Sequence, residues 1–197
     1  MSNAIRSVRA FKRQKDIFCV EGAWEPDYRD KKSVENVLEF VEIVEKVKFI
    51  TRKCYNKDTL FTLLKDSAQK RYKNYSILYL AFPGEPNHIH LGKRNKKVSL
   101  DEIADMIDGT ANGKIIHFGA CSTLNISQWV MRNFLKKTAA LAISGYQKDI
   151  GFLESTAMDL LYFQQCQKTV DITSIKQNTF YYYSRLAKEL GFVLKYW

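Results

Sequence analysis

Six short apolar runs are the most regular feature of the chain, and each has the composition of a buried β-strand. Continuous apolar residues are typical of strands covered on both faces, as in parallel sheets. The pattern therefore predicts a mostly parallel sheet, with a short extended segment at residues 88–91. The six predicted strands occupy residues 15–22, 48–52, 76–82, 114–120, 139–145 and 192–197.

Amphipathic helical patterns separate these runs. Ser99 and Glu102 have the spacing of a capping box, which marks the start of one such helix. Because strands alternate with helices, we expect an α/β fold, a three-layer sandwich with helices on both faces of the sheet. Helices are predicted over residues 34–44, from Asp58 to Ala68, from Ser99 to Gly109, from Ser122 or Thr123 to Lys137, and over about 150–167 and 174–190.

Composition indicates one globular domain. The chain has 197 residues, of which 46% are hydrophobic, enough for a core, so disorder as the main state is excluded. No apolar run approaches the ~18–20 residues that span a bilayer, and we expect a cytoplasmic protein without a membrane partner. Residues 15–197 are predicted to form the domain, and residues 1–14 a flexible basic arm whose first four residues resemble an expression linker.

The net charge of +10 is concentrated in two places. Residues 1–15 contribute five positive charges without an acid, and residues 93–97 contribute four more. The rest of the chain is close to neutral, which argues against a broad nucleic-acid surface. The second basic segment follows His88 and His90, so we expect at most an electropositive rim there.

Cysteines and histidines do not form a metal or disulfide framework. Cys19, Cys54, Cys121 and Cys166 are far apart in sequence, and the three histidines are not at zinc-ligand spacing from them. We therefore predict reduced thiols, buried at Cys19 and Cys166 and at a strand end or loop for Cys54. No metal and no cofactor is predicted.

Two strand ends carry the candidate chemistry, since ligands of parallel sheets bind beyond the carboxyl ends of the strands. One end reads Phe82-Pro83-Gly84 and the other runs from Gly119 through Cys121 to Thr123. With the segments IHLG, SLDEIADMI and ALAISGYQKDI in the same order, the chain resembles the caspase-like cysteine peptidases, most closely the CHAT-type domains. The resemblance covers about half the chain.

The resemblance implies a fold and a site. The implied sheet has strand order 2-1-3-4-5-6 with the last strand antiparallel. Cys121 matches the family's nucleophile, whereas Pro83 stands where the family has its catalytic histidine. Pro83, Gly84 and Ser122 then lie at the site edge or oxyanion position, and Asp149 is a candidate for the substrate cleft.

A Cys–His pair works because the imidazole lowers the thiol pKa and later donates a proton to the leaving amine. Proline cannot do either. His88 and His90 alternate along an extended segment and could face Cys121 together, and a helix starting at Ser122 would favour a thiolate. His117 lies roughly 13 Å down its strand from Cys121 and is predicted to be a core histidine with a local hydrogen bond. Asp159, like Asp149, is predicted to be a solvated helix-face charge.

Three functional hypotheses remain open. The first is a degenerate peptidase fold that binds a peptide or protein as a regulatory module. The second is an active cysteine peptidase with Cys121 as nucleophile and His88 or His90 as base. The third is a nucleic-acid-binding domain that uses the arm and residues 93–97, which predicts binding that falls steeply with salt. The sequence does not determine the oligomeric state.

Overall fold

Strands and helices alternate along the chain in the computed structural model, which describes residues 15–25, 27, 29, 31–92, 96–119 and 121–197. The strands are β1 (Ile17–Glu21), β2 (Phe49–Lys53), β3 (Ile77–Ala81), β4 (Gly84–Glu85), β5 (His88–Leu91), β6 (Lys96–Ser99), β7 (Ile115–Phe118), β8 (Ala142–Tyr146) and β9 (Phe192–Tyr196). The helices are α1 (Glu35–Glu45), α2 (Lys57–Ser67), α3 (Leu100–Met106), α4 (Gln128–Thr138), α5 (Phe152–Lys168), α6 (Ile172–Tyr182) and α7 (Ser184–Leu190). The predicted arm at residues 1–14 and part of the basic segment, residues 93–95, lie outside the described residues.

Six strands form the main sheet, in the order β2-β1-β3-β7-β8-β9. Neighbouring strands are parallel except for β9, which runs antiparallel to β8. Counted along the main sheet alone, this is the predicted order 2-1-3-4-5-6 with an antiparallel last strand, so that prediction is confirmed. In the register of the sheet, Tyr79 of β3 lies beside His117 of β7, and His117 lies beside Ser144 of β8.

A small antiparallel sheet, β4-β5-β6, is inserted between β3 and α3. The predicted extended segment at residues 88–91 is its central strand, β5. Ile89 and Leu91 of β5 are buried, and they join the core that packs against one face of the main sheet. The inserted sheet is thereby fixed beside the end of β3.

Helices cover both faces of the main sheet, because successive side chains of a strand point to opposite sides. Phe18 and Val20 of β1 belong to one core, which includes residues of α2, α3 and α4. Ile17 and Cys19 belong to the other core, which includes residues of α1, α5, α6 and α7. The predicted three-layer α/β sandwich is confirmed. None of the described helices combines the length and apolar character needed to cross a membrane.

Helix starts follow local capping chemistry, and two predictions are corrected here. The capping box of Ser99 and Glu102 opens α3 as predicted. The cap of α2 is Asn56 rather than Asp58, and the cap of α4 is Ser127 rather than Ser122 or Thr123. A cap residue needs extended backbone angles, whereas Ser122 has a φ of +43°.

The predicted helix over residues 174–190 is two helices, α6 and α7, that meet at Tyr183.

At the start of the domain, the buried ammonium of Lys15 donates hydrogen bonds to the carbonyl oxygens of Cys166 and Thr169, at 2.6 and 2.7 Å. Cations stabilise the C-terminal ends of helices, and this pair of bonds fixes the start of the domain to the end of α5.

Candidate functional site

The chain leaves β7 through a turn at residues 121–124, which carries Cys121. The N–H of Ser122 donates to the carbonyl oxygen of Lys148, and the N–H of Leu124 donates to that of Tyr146, both at 2.9 Å. These bonds hold the turn against the end of β8. Cys121 consequently lies at the carboxyl-terminal edge of the sheet, while Ala120 lies outside the described residues.

The side chains of this turn point toward the segment between β8 and α5. Cys121 is half-buried, and its thiol donates a hydrogen bond to the carbonyl oxygen of Ile150 at 2.9 Å. The Ser122 hydroxyl donates to the carboxylate of Asp149 at 2.6 Å. The candidate residues Cys121, Ser122 and Asp149 are therefore adjacent, and each of the three has a partner in this segment or turn.

The helix that follows Cys121 in the chain does not begin at the thiol, which corrects the expectation of a helix starting at Ser122 or Thr123. The thiol instead contacts the carbonyl oxygen of Ile150, two residues before the start of α5 at Phe152. α4 starts at Gln128 and is capped by Ser127. A helix dipole acts within its first turn, and Cys121 is seven residues before the helix. Neither thiolate nor oxyanion stabilisation can be assigned to α4.

The two candidate histidines lie on one face of β5. His88 and His90 are partly exposed, in contrast to the buried residues that alternate with them. Their imidazoles gather around the carboxylate of Glu85: His90 Nε2 is 3.3 Å from one Glu85 oxygen and His88 Nδ1 is 3.9 Å from the other. Lys97 also contacts this carboxylate at 2.5 Å, and its hydrogen bond is the main cause that lowers the pKa of Glu85.

The residues at the end of β3 connect the main sheet to this histidine strand. The carbonyl oxygen of Pro83 accepts a hydrogen bond from the N–H of His90 at 2.8 Å. Gly84 begins β4 and pairs with Ile89. Pro83 and Gly84 thus hold the backbone of β5, and Pro83 contributes no titratable group.

The turn at Cys121 and the strand of the histidines meet through Thr123. Its hydroxyl donates to the carbonyl oxygen of His88 at 3.1 Å, and its own carbonyl oxygen accepts from the N–H of Asn87 at 3.1 Å. The contact therefore involves the backbone of His88. Among the described residues, neither the His88 nor the His90 imidazole hydrogen-bonds to the Cys121 thiol.

A buried polar cluster lies on the face of the sheet that α5 covers. His117 is fully buried, with Nδ1 2.9 Å from the Ser144 hydroxyl and Nε2 2.7 Å from the carboxylate of Asp159. The hydroxyl of Tyr79 donates to the same carboxylate at 2.6 Å, and the hydroxyl of Tyr146 contacts it as well. His117 is thus a core histidine with local hydrogen bonds, as predicted, whereas the prediction that Asp159 is solvated is wrong.

Burial, followed by the nearby Asp159 carboxylate, raises the pKa of both Tyr79 and Tyr146 well above its ordinary value. Both phenols consequently remain neutral donors at physiological pH. Gly119, which directly follows β7, packs so closely on Tyr79 that an added Cβ would lie 2.5 Å from the ring. The cluster therefore supports the segment that leads to Cys121.

The sequence contains a signal for this cluster. Tyr79, His117 and Ser144 interrupt three apolar strands at positions that become register partners in a parallel sheet. Three polar residues in one row of a covered sheet require a polar partner from the helix above them. Asp159 supplies it, since it lies on the buried side of α5.

Among the described residues, no group of three or more histidine, cysteine or acidic side chains is arranged to hold a metal ion. Beside Cys121, the Asp149 carboxylate is exposed, whereas the Ser122 hydroxyl that donates to it is buried.

Comparison with solved structures shows the fold. The Drosophila initiator caspase Dronc matches with a TM-score of 0.54 at 13% identity, covering 91% of this chain and 78% of that one. At this identity the match shows a caspase-like fold and does not transfer an activity. A search of curated proteins finds no significant match.

A sequence model described as a family of unknown function, DUF6642, matches residues 14–196. This match covers nearly the whole chain, so the chain belongs to that family.

Proposed function

We propose that this DUF6642 protein is a caspase-like domain that binds a peptide or protein partner without cleaving it. In this proposal the domain is a CHAT-type peptidase fold in which Pro83 replaces the catalytic histidine. Its four cysteines are all free thiols, which supports a cytoplasmic location, where thiols stay reduced.

The partners of the Cys121 thiol carry this proposal. An activated cysteine needs an imidazole within hydrogen-bond reach. This donor–acceptor distance is about 2.6–3.2 Å between nitrogen and oxygen atoms, and it is often longer in sites without a bound ligand. Cys121 instead donates to the carbonyl oxygen of Ile150, an arrangement that requires the protonated thiol. The imidazoles of His88 and His90 surround Glu85.

A second candidate is an active peptidase with His88 as base. The observation that favours it is the Thr123 hydroxyl, which bonds to the His88 carbonyl and keeps that histidine's backbone close to the Cys121 turn. In this case the His88 ring would have to leave Glu85 and Pro86, whose carbonyl oxygen is 3.1 Å from Nδ1.

Cleavage of a mixed-sequence peptide library, followed by mass spectrometry, tests the proposal. We expect no cleavage products from the wild-type protein or from the Cys121→Ser variant, in which serine keeps a donor to Ile150 but is a poor nucleophile without a base. A Cys54→Ser variant serves as the matched control, since Cys54 is a buried free thiol that follows β2.

Cleavage products that appear with wild type and with Cys54→Ser, but not with Cys121→Ser, would overturn the non-cleaving role and support the second candidate. Cleavage that persists in Cys121→Ser and co-purifies with the protein would also overturn the non-cleaving role, and it would exclude Cys121 as the nucleophile.

A further inference from the structure

A cavity of about 680 Å³ opens at the carboxyl-terminal edge of β1 and β2. It is bounded by the loop after β1, the end of β2 and the turn side of β5 and β6. Its lining residues within the described chain include none from the Cys121 turn or from residues 147–151. Its volume lies within the ~300–1,000 Å³ that is typical of small-molecule sites.

A buried carboxylate organises one wall of this cavity. Glu21 is fully buried and accepts hydrogen bonds from the Trp24 indole and the Val34 N–H at 2.8 Å, and from the Lys53 ammonium at 2.6 Å. The Ser33 hydroxyl donates to it as well, at 2.8 Å. The loop after β1 is therefore fixed at both of its ends before any ligand enters.

Two aromatic side chains form apolar surface in the cavity. Trp24 packs edge-to-face on Phe152 of α5, with ring centroids 4.8 Å apart, which fixes its orientation. Tyr55 is 54% exposed and lies beside Gly92, where an added Cβ would be 3.8 Å from the Tyr55 side chain. A planar group that enters the cavity beside Gly92 can therefore contact the rings of Trp24 and Tyr55.

The charge that remains on the lining is positive. Lys53 is paired with Glu21, Lys32 with Glu25, and the acid Asp27 with Arg29. The two other lining lysines, Lys31 and Lys96, form no ion pair within the described chain, and both are exposed. An anion at the cavity mouth would be attracted by both.

We propose that this cavity binds a small organic anion in which a carboxylate, sulfonate or phosphate is attached to a planar apolar group. The anionic group lies between Lys31 and Lys96, and the planar group lies against Trp24 and Tyr55. The inference goes beyond the proposed peptide-binding role, because it assigns a second site with a different ligand class at the same sheet edge.

Fluorescence with 1-anilinonaphthalene-8-sulfonate, a planar aromatic anion, tests this site. The protein has three tryptophans, and Trp129 and Trp197 are exposed, so a W129F/W197F variant leaves Trp24 as the single reporter. We expect saturable quenching of Trp24 emission by the probe. The neutral analogue N-phenyl-1-naphthylamine should bind more weakly.

In the same background, Lys31→Ala with Lys96→Ala should raise the Kd for the anionic probe by about tenfold, as expected for the loss of two exposed charges. Lys48→Ala with Lys70→Ala is the matched control and should leave Kd unchanged, because Lys48 directly precedes β2 and Lys70 lies in a short 3-10 helix on the approach to β3. Thermal melting checks that each variant folds.

Three results would each overturn the site: no quenching at millimolar probe, equal affinity for the anionic and neutral probes, or equal Kd in the Lys31/Lys96 and Lys48/Lys70 variants. None of them involves Cys121. Failure of this inference is therefore distinguishable from failure of the non-cleaving role, which the peptide library tests.

Discussion

Replacing Lys114 by methionine measures the cost of burying a lysine at the start of β7. Lys114 is 7% exposed, and its ammonium donates to the carbonyl oxygen of Tyr75 at 2.5 Å. Burial lowers its pKa from 10.5 to about 8. The folded protein therefore releases this proton at a lower pH than the unfolded chain.

The sign of the effect follows from proton counting. Between about pH 8 and 10.5, the unfolded chain keeps the Lys114 proton that the folded protein has lost, so the free energy of unfolding rises with pH. The destabilisation of the folded state by the buried Lys114 charge is fully present below pH 8 and disappears above pH 10.5. Since one pKa unit corresponds to about 1.4 kcal/mol, the wild type should gain roughly 2.5 kcal/mol from this group between pH 7 and pH 10.

The assay is urea unfolding at four pH values from 7 to 10 in the presence of a reductant. The difference in unfolding free energy between wild type and Lys114→Met should increase with pH by the amount given above, because other titrating groups cancel in the difference. Lys48→Met, which removes an exposed lysine, should show no such trend. A wild-type-minus-Lys114→Met difference that is constant with pH would refute the reasoning.

Three further substitutions test side-chain contacts that hold helices to the sheet or begin them, each by urea unfolding at pH 7. Ser127→Ala removes the hydroxyl that accepts a hydrogen bond from the Val130 N–H, and it should lower the free energy of unfolding by about 1 kcal/mol. Ser127→Asp should retain most of the stability of the wild type, because aspartate also caps helices; equal urea midpoints for the two variants would contradict this. Lys15→Met leaves two carbonyls at the end of α5 without their donor and should cost about 2 kcal/mol, and an unchanged midpoint would show that the bonds contribute nothing. Asp159→Leu leaves the buried Tyr79 and His117 donors unpaired, while the Tyr146 hydroxyl keeps the carbonyl oxygen of Ser155 as its acceptor. The variant should cost at least about 3 kcal/mol, clearly more than Asp159→Asn; a larger loss for asparagine would be inconsistent with the cluster.

The strands were predictable because a strand covered on both faces is mostly apolar, whereas their order was implied by the resemblance to the caspase-like family. β3 and β8 are buried at every position, and both were visible as continuous runs. The capping box at Ser99 was equally local, since its two bonds join residues three apart. These features depend on short stretches of chain.

Features that depend on tertiary contacts were not predictable in the same way. Ser122 has the residue type of a helix cap, but its N–H and hydroxyl are engaged by Lys148 and Asp149, which fixes a turn instead. Asp159 has an ordinary helix-surface residue type, and only the row of polar strand residues beneath α5 explains its burial. Likewise, the alternation of His88 and His90 predicts one shared face, but their common partner Glu85 comes from strand β4 of the inserted sheet.

The rate of Cys121 alkylation by iodoacetamide, measured from pH 5.5 to 9, tests the proposed absence of a Cys–His pair most directly. The other three thiols are fully buried, and burial raises the pKa of Cys54 to about 11 and that of Cys166 to about 12, so labelling reports Cys121. Without an imidazole partner, wild type and the His88→Gln/His90→Gln variant should react at rates within about twofold of each other at every pH. Fast alkylation of the wild type at pH 6 that is lost in the double variant would contradict the account and identify Cys121 as an activated nucleophile.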